Sequence, residues 1–546
     1  KRLYGDDTYA RINVAKIKRI EILNGASSAL YGTNAIGGVI NIITDDAKNA
    51  INVSSDTRYA SKGRFTQSVN IDVNTGKFGS YTSYRRQQAE GWQLNPYEEN
   101  SKTHELEETG KVASTGFYAN TVNQKFTFDA TDKLSFYARG GYYDNKTRRP
   151  YEAYDYNILH ETFNYGIGAQ YMINKGNYIT ADCYADHFSS SYCFFKDNKT
   201  YNGKAGEEQV RKRTRNHNLS IKGIFKLGNR HKLSVGTEYI VDVLKSQTDN
   251  IAKEDAYTLA LFAQDEIKLL RNLQALIGVR YIYHENFKNH ATPNVALMYK
   301  PGKFNFRASY AAGFRTPTLS ELYATDIAKK NDRLTIGNLD LKPEKNNYFS
   351  LSAEYVHERF SVSVNAFYNN IRDMIDYNTI ATGDKAMEQY GHKEVRQRDN
   401  IAEAKVYGIN VSANAYLGAG FNLSGGYTHL NTQDVELEQP IDKSIKNAYN
   451  INAQWAHSWK IYRLNINLNG RINSKRFSKS YGYAPEYQLW DLNTRHSFNL
   501  KSVIIEPGCG IENLFDYTDD RPYNSNYATL TPGRSFYISL SLKFKS

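Results

Sequence analysis

The chain has 546 residues, more than one soluble hydrophobic core usually supports, so it holds either several domains or one very large closed sheet. Its mean hydropathy is −0.64, and the absence of any stretch near 20 apolar residues excludes membrane-spanning helices. A net charge of +12 would fit nucleic-acid binding, but the basic residues are scattered rather than gathered on one face, which argues against that class.

Residues 1–46 do not follow the pattern of the rest of the chain. Ile17–Leu23 predicts a strand, Ser27–Tyr31 a short helical turn and Val39–Thr44 a second strand. Tight turns between these elements need glycines, which can adopt backbone conformations closed to other residues. The glycines available for them are Gly25, Gly32, Gly37 and Gly38. We therefore predict a small α/β element, separate from residues 47–546.

From residue 49 onward, apolar and polar residues alternate, which is typical of β-strands with one apolar and one polar face. The last segment shows this clearly, since Phe536, Ile538 and Leu540 alternate with polar or aromatic partners. The alternation predicts 22 strands, near 49–57, 63–73, 77–86, 114–128, 133–143, 162–173, 178–189, 216–225, 231–240, 256–267, 272–285, 292–300, 303–312, 346–356, 359–370, 404–416, 420–430, 448–458, 462–472, 491–500, 503–512 and 534–544.

The connections between these strands distinguish a barrel from a sandwich. Tight turns such as Pro301-Gly302 alternate with long connections such as 190–215 and 371–403. This asymmetry is typical of outer-membrane barrels, in which the 44 Tyr and 25 Phe would mark the membrane interfaces. Closure in lipid requires the last strand to pair with the first. The predicted fold class is all-β: a 22-stranded antiparallel transmembrane β-barrel over residues 47–546, wide enough to need a plug.

Several motifs resemble those of TonB-dependent outer-membrane receptors. Ile17–Leu23, Gly25–Gly32 and Ala35–Thr44 are similar to the end of the plug domain in that family. The plug-motif residues are Gly25, Tyr31, Gly32, Gly37 and Gly38. Phe314–Pro317 with Glu321–Tyr323, and Gly337–Glu344, resemble a long-loop region of siderophore, haem and cobalamin receptors. Asn24-Gly25-Ala26 stands where the family commonly has Arg-Gly-Pro, so the ion pair of that arginine is not expected here.

The resemblance implies a receptor in the outer membrane of a Gram-negative bacterium. Such a receptor binds a scarce iron chelate (a ferric siderophore or haem) at its extracellular loops and imports it with energy from TonB. Residues 1–46 would be the C-terminal remnant of an α/β plug domain, and the TonB-binding segment would precede them. Outer-membrane lipid, lipopolysaccharide and a surface lipoprotein are further expected partners. Cobalamin is an alternative ligand, and a passive porin or adhesin is an alternative class. No catalytic motif, resident cofactor, metal site or nucleic-acid partner is expected.

Aromatic and basic residues in the predicted outer loops suit an anionic, ring-bearing ligand. The candidates of this kind are Trp92, Arg148, Arg149, Tyr151 and Tyr154. Histidines in the same predicted loops could instead ligate haem iron, or be ordinary exposed residues. These histidines are His104, His160, His290 and His392. A ferric siderophore is the first expectation, then haem, then cobalamin.

Two other groups of residues leave alternatives open. A basic cluster at Arg211, Lys212, Arg213 and Arg215, in another predicted loop, is either solvated charge that contacts lipid phosphates or an anion-attracting funnel. Cys183 and Cys193 either form a disulfide in an oxidising compartment, leaving Cys509 free, or are isolated thiols.

Overall fold

The computed structural model describes residues 17–24, 38–44, 50–100, 103–328, 332–479, 481–523 and 531–545. Nearly all regular structure in these residues is β. The strands are β1 (Ile17–Asn24), β2 (Gly38–Thr44), β3 (Ile51–Ala60), β4 (Arg64–Asn74), β5 (Phe78–Ala89), β6 (Tyr97–Glu99), β7 (Leu106–Glu108), β8 (Gly116–Asp129), β9 (Leu134–Arg148), β10 (Tyr156–Asn174), β11 (Asn177–Phe194), β12 (Glu208–Leu227), β13 (His231–Ser246), β14 (Ile251–Leu270), β15 (Leu273–His284), β16 (Lys288–Tyr299), β17 (Phe304–Arg315), β18 (Thr325–Ala328), β19 (Arg333–Ile336), β20 (Glu344–Val356), β21 (Phe360–Thr382), β22 (Glu394–Gly418), β23 (Phe421–Asp434), β24 (Asn447–Trp459), β25 (Tyr462–Asn473), β26 (Arg476–Ser478), β27 (Gly482–Ala484), β28 (Tyr487–Leu500), β29 (Val503–Glu512) and β30 (Ser535–Lys545).

Twenty-two of these strands close into one antiparallel barrel: β3–β5, β8–β17, β20–β25 and β28–β30. Strands β29, β30, β3 and β4 follow one another around the wall, and Thr57 of β3 lies opposite Leu540 of β30. The predicted closure of the last strand on the first is therefore confirmed. Each of the 22 predicted strands corresponds to one barrel strand, and the predicted fold class is confirmed.

Among the described residues, two short helices lie in the connections between barrel strands. They are α1 (Leu319–Tyr323) and α2 (Gly383–Tyr390). Neither these nor any other helix in the described parts of the chain combines the length and the apolar character that a membrane crossing needs. Strands β18 and β19 join the barrel sheet at its outer rim, where β19 pairs in parallel with β22.

The predicted strand ends are wrong at the long-connection side of the barrel. Strand β21 has 23 residues and β22 has 25, whereas about 9–11 residues are enough to span a membrane. The ladder continues because the backbone hydrogen bonds of paired strands remain satisfied in water as well as in lipid. Much of the predicted loops 190–215 and 371–403 is therefore strand.

This extension corrects the placement of several residues that were predicted to lie in loops. Arg148 is the last residue of β9, His160 lies in β10 and His290 lies in β16. The basic run from Arg211 to Arg215 lies in β12. His290 follows a turn of three residues, because β15 ends at His284 and β16 begins at Lys288.

The N-terminal segment contributes a separate two-stranded sheet. Strands β1 and β2 pair antiparallel, with Glu21 opposite Asn41, and so match the two strands predicted there. Gly38 opens β2 with a φ of 140°, a conformation that favours glycine. Gly25, Tyr31, Gly32 and Gly37, and the predicted domain boundary at residues 46 and 47, lie outside the described residues.

The alternative of a Cys183–Cys193 disulfide is excluded by the fold. Both residues lie in β11, ten positions apart, which corresponds to about 33 Å along a strand. A disulfide needs Cα atoms within about 7 Å of each other. Cys183 pairs with Ile167 and Leu219, whereas Cys193 pairs with Asn157 and Glu208. All three cysteines are free thiols.

Candidate ligand-binding site

Arg315, at the outer end of β17, holds together the two sequence motifs of the long β17–β20 connection. Its guanidinium donates to Glu321 at 2.9 Å and to Glu344 at 2.8 Å. Glu344 also accepts from the backbone N–H of Ile375 at 2.9 Å. The three charged side chains are between 11% and 22% exposed, so the pairs are shielded from water. The motifs thus have a structural role that fixes one wall of the outer opening.

The N-terminal end of helix α1 is held by the same network. Thr318 caps the helix by accepting from the N–H of Glu321, and the Glu321 carboxylate accepts from the N–H of Thr318 in return. Burial alone would raise the pKa of Glu321, but the hydrogen bonds and charge of Arg315 and the donors of Thr318 hold it below its ordinary value. Leu322 packs against Leu341 and Ile375 below the helix.

Gly337 lets the second motif approach the helix closely. A Cβ at this position would lie 2.4 Å from the carbonyl oxygen of Leu322. The N–H of Gly337 donates to Ala324, and that of Asn338 donates to Glu321, at 2.7 and 3.1 Å. Only glycine permits this contact without displacement of the backbone.

A cavity of about 610 Å³ lies between α1 and the inner wall at the outer ends of β10 to β15. Its size falls within the range of small-molecule sites in proteins. The lining combines cations, rings, hydroxyls and imidazoles, and it includes Arg211, Lys212, Phe188, Tyr192, Ser190, Thr214, Thr258, Thr316, His160 and His284. His160 packs on Phe188 at 5.4 Å between ring centroids, and Nδ1 of His284 accepts from the N–H of Asn286 at 3.1 Å.

Beside this cavity, rings and guanidinium groups from β10, β11, β12 and the connections next to them form a cluster, which we call the aromatic–guanidinium cluster. It consists of Arg149, Tyr154, Tyr156, Tyr192, Tyr201 and Arg211. Tyr156 and Tyr192 stack at 4.0 Å, and the Arg149 guanidinium lies 3.5 Å from the Tyr154 ring centroid. Arg211 lies 5.3 and 4.9 Å from the centroids of Tyr192 and Tyr201. Such pairs present delocalised cations and flat faces to a ligand.

The structure brings together some of the predicted binding residues and separates others. Arg149 and Tyr154 belong to the aromatic–guanidinium cluster, whereas Arg148 donates to the carbonyl of Ala89 at 3.3 Å. Tyr151 is 60% exposed and stacks on Phe195 at 5.5 Å. Trp92 lies in another loop, bridged to Ser114 through its backbone.

The predicted histidines are dispersed in the same way. His104 is exposed, and its Nδ1 lies 2.7 Å from Glu99. His392 lies 2.9 Å from Asp332, and this contact lowers the pKa of the Asp332 carboxyl. His290 stacks on Phe314 at 5.0 Å. Of the four, His160 alone lines the cavity, and it is joined there by His284, which was not predicted.

Tyr192, Tyr201 and His284 were missed as candidate site residues, and Arg211 was considered only as part of the basic cluster with its two alternatives. Tyr192, Tyr201 and Arg211 lay in a predicted loop, where no face could be assigned to them. Extension of β11 by the alternation of Phe188, Ser190 and Tyr192 would have placed Tyr192 on the inner face. Tyr201 lies in the connection between β11 and β12, and Arg211 lies at a register shift of β12, so alternation alone places neither of them.

Comparison with known proteins agrees with this architecture. Residues 63–514 match the family model of the TonB-dependent receptor-like β-barrel, and residues 2–39 match that of the TonB-dependent receptor plug domain. A mutant of the ferric enterobactin receptor PfeA from Pseudomonas aeruginosa is 17% identical, with a TM-score of 0.83, over 99% of this chain and 86% of that one. The siderophore receptor PirA from Acinetobacter baumannii is 16% identical, with a TM-score of 0.78, over 99% and 87%.

The FrpB iron transporter from Neisseria meningitidis is also similar, at 14% identity and a TM-score of 0.75 over 98% of this chain and 88% of that one. At such identities these structures show a shared fold. The family model of the barrel covers most of the chain and follows the closed 22-stranded wall described above. The chain therefore belongs to the family of TonB-dependent receptors.

Proposed function

We propose that this protein imports a ferric siderophore with anionic, aromatic iron-binding groups across the outer membrane of a Gram-negative bacterium. The observation that carries the proposal is the cavity of about 610 Å³ beside the aromatic–guanidinium cluster. Flat rings can stack on Tyr156 and Tyr192, and an anionic chelate gains charge-assisted hydrogen bonds from Arg211. The solved receptors of similar fold include one for ferric enterobactin and two named for siderophores or iron.

Binding is proposed to precede transport that is energised by TonB acting on the plug domain. No chemical change to the ligand is required, since the barrel has only to bind, release and admit it. With the complete plug, removal of the TonB-binding segment should abolish uptake of the iron chelate while equilibrium binding persists. Energised uptake by the truncated receptor would contradict the transport mechanism.

Titration of the purified receptor with a ferric catecholate, followed by quenching of intrinsic fluorescence, tests the ligand class. Arg211→Gln should weaken binding roughly tenfold, which corresponds to about 1.4 kcal/mol, because the cation–ring and charge-assisted contacts are lost. Arg230→Gln, in a short turn at the other end of the barrel, is the matched control and should bind as the unchanged protein does. Equal affinity of Arg211→Gln and Arg230→Gln for the ferric catecholate would show that Arg211 does not contribute to binding.

Haem remains the second candidate because two histidines, His160 and His284, line the same cavity. Imidazole is a common axial ligand of haem iron. A haemin titration that gives a saturable Soret shift, lost in His160→Ala or His284→Ala, would replace the siderophore by haem. Cobalamin is the third candidate, to be tested by competition if neither ligand binds.

A further inference from the structure

The outer part of β12 carries a row of cations on the face that turns away from the lumen. The cations on this face are Arg213 and Arg215, both exposed. The same face continues with His217, Leu219 and Ile221, of which the last two are 49% and 46% exposed. Since side chains at alternate positions share a face, the cations and the apolar residues lie in one line on the outside of the barrel.

The opposite face of β12 is polar and turns into the barrel. There Asn216 donates to Asp242 at 2.7 Å, and Asn218 donates to Glu238 at 2.7 Å. This polar network fixes the orientation of the strand, since a shift by one residue would exchange the two faces. The cations at positions 213 and 215 therefore face the surroundings of the barrel.

Arg213 lies directly opposite Lys245 of β13 in the ladder. Residues so paired have Cβ atoms about 4.5–5.5 Å apart, and two like charges at this spacing destabilise the sheet. Arg215 follows about 7 Å further along the same face. Among the described residues, none provides an ion pair or hydrogen bond to the side chains of these three cations, and all three are exposed. An anion between them would relieve the repulsion.

The position of these cations relative to the apolar wall indicates what kind of anion would fit there. Tyr239, Tyr257 and Tyr283 form a line of rings on the same outer face, 6.0 and 6.1 Å apart between centroids. Rows of tyrosine mark the boundary between lipid and water in membrane barrels. Arg215 lies four residues, or about 13 Å, outward of Leu219. The cations therefore lie at the level of lipid headgroups on the long-connection side.

A cleft of about 630 Å³ adjoins Arg213 and Lys245. It is also lined by Arg211 and Lys212, and Ile251 contributes apolar surface. Glu207, a carboxylate in this lining, accepts from the N–H of Lys204 and the side chain of Gln209, both at 2.9 Å. These two donors leave the carboxylate charged, but the lining carries four cations, Arg211, Lys212, Arg213 and Lys245, against this one carboxylate, so the cleft favours an anion with an apolar part.

We propose that Arg213, Arg215 and Lys245 bind the phosphate groups of a lipid in the outer leaflet. The acyl chains of this lipid would lie along the apolar face of β12 and β13 below the cations. Guanidinium and ammonium groups are suited to phosphate, and binding would neutralise the opposed charges of Arg213 and Lys245. This proposal shares with the proposed function the outer-membrane location and two residues, Arg211 and Lys212, which line both the cavity and the cleft. It does not depend on which chelate is imported.

The test uses the purified receptor in detergent, with bisphosphorylated lipid A and its dephosphorylated form as probes. Native mass spectrometry across a lipid titration gives the affinity for each probe. The double variant Arg213→Gln/Lys245→Gln should bind the phosphorylated lipid at least tenfold more weakly. The matched control, Arg230→Gln/Lys300→Gln, removes two exposed cations at the other end and should bind as the unchanged protein does. Binding of the dephosphorylated lipid should be weak and equal in all three.

Equal affinity of the double variant and the unchanged protein for phosphorylated lipid A would overturn the proposal. So would full displacement of the lipid by millimolar inorganic phosphate, which would indicate a site for free phosphate instead. Arg213→Lys/Lys245→Arg retains both charges and should retain binding. Arg213→Gln/Lys245→Gln is judged only if it keeps the heat-modifiable migration of a folded barrel. If it does not, Arg213→Lys/Lys245→Arg and the two single variants provide the test. Loss of lipid binding in Arg213→Lys/Lys245→Arg would contradict a site based on charge.

Discussion

Arg315 forms hydrogen bonds with two carboxylates that come from different motifs and are far apart in sequence. Removal of the guanidinium would leave Glu321 and Glu344 shielded from water and facing each other without a cation. Uncompensated buried charge is among the costliest single defects in a protein. The exact shape of the outer opening at α1 therefore depends on this one side chain.

Arg315→Met should loosen the β17–β20 connection without opening the barrel. We expect the free energy of local unfolding of this connection to fall by about 2 kcal/mol. This is less than for a fully buried ion pair, because the three groups are partly exposed. Limited proteolysis should then cut the connection roughly thirtyfold faster. Arg307→Met, on the same strand, is the control, and equal cleavage of the two variants would contradict the role of Arg315.

The Glu321 carboxyl should also make the connection sensitive to acid. Its pKa is lowered in the folded protein, so its contribution to stability is present above the unfolded value of about 4.5 and is lost as the pH falls through the folded value. Proteolysis by an acid-tolerant protease between pH 6 and pH 3 should show this loss. In Glu321→Gln the rate of proteolysis should depend less on pH. If the pH dependence of this variant equals that of the unchanged protein, other groups cause the acid sensitivity.

At the scale of the element, strand β11 shows how pairing sets chemical behaviour. Cys183 and Cys193 lie on the same strand, each in a ladder with residues of β10 and β12. Neither can reach the other without breaking both ladders, and such a break would cost far more than a disulfide provides. The two cysteines thus behave independently even if the compartment is oxidising.

Alkylation of the unfolded, unreduced receptor should therefore add three labels to the intact mass. The expected count follows from three free thiols, Cys183, Cys193 and Cys509. Prior reduction should leave the count unchanged, which serves as the control. A single label before reduction and three labels after it would show that Cys183 and Cys193 are bridged, contrary to the register of β11.

Alternation of side chains was enough to predict all 22 barrel strands, because each strand has one face in lipid and one in the lumen. It was not enough to predict where strands end on the outer side. There both faces meet water, so Arg213 and Arg215 carry charge at positions that are apolar further down the strand. The pattern therefore resembles that of a loop although the ladder continues. His160, Tyr192 and Arg211 were affected by this error, and the site they line could not be assembled from the sequence.

At the scale of the whole molecule, the barrel depends on a seam between residues distant in the sequence. Strand β30 pairs with β3 in a register that places Thr57 opposite Leu540. Behind the seam, Glu512 of β29 accepts from Arg64 at 2.5 Å and also contacts Arg58. These contacts form only after nearly the whole chain is in place, so closure is expected to be a late step in folding.

Paired cysteines at the seam test both closure and register. Thr57→Cys/Leu540→Cys should form a disulfide on mild oxidation, because the two positions face each other on the outer surface. Thr57→Cys/Ser541→Cys should not, since position 541 points to the other face. Altered migration of the boiled, unreduced protein reports the cross-link. Equal cross-linking of both variants would mean that the register slips.

The length of the barrel strands has a consequence for what this protein shows to its surroundings. Strand β22, with 25 residues, is about 80 Å long, well over twice what a spanning strand requires. The excess continues as hydrogen-bonded wall above the lipid, so the protein carries a stiff collar where shorter barrels carry mobile loops. A collar of fixed shape is a surface that antibodies in the medium can recognise in a single conformation. In the proposed outer-membrane location, the feature that frames the outer opening would therefore also make the protein a well-defined antigen.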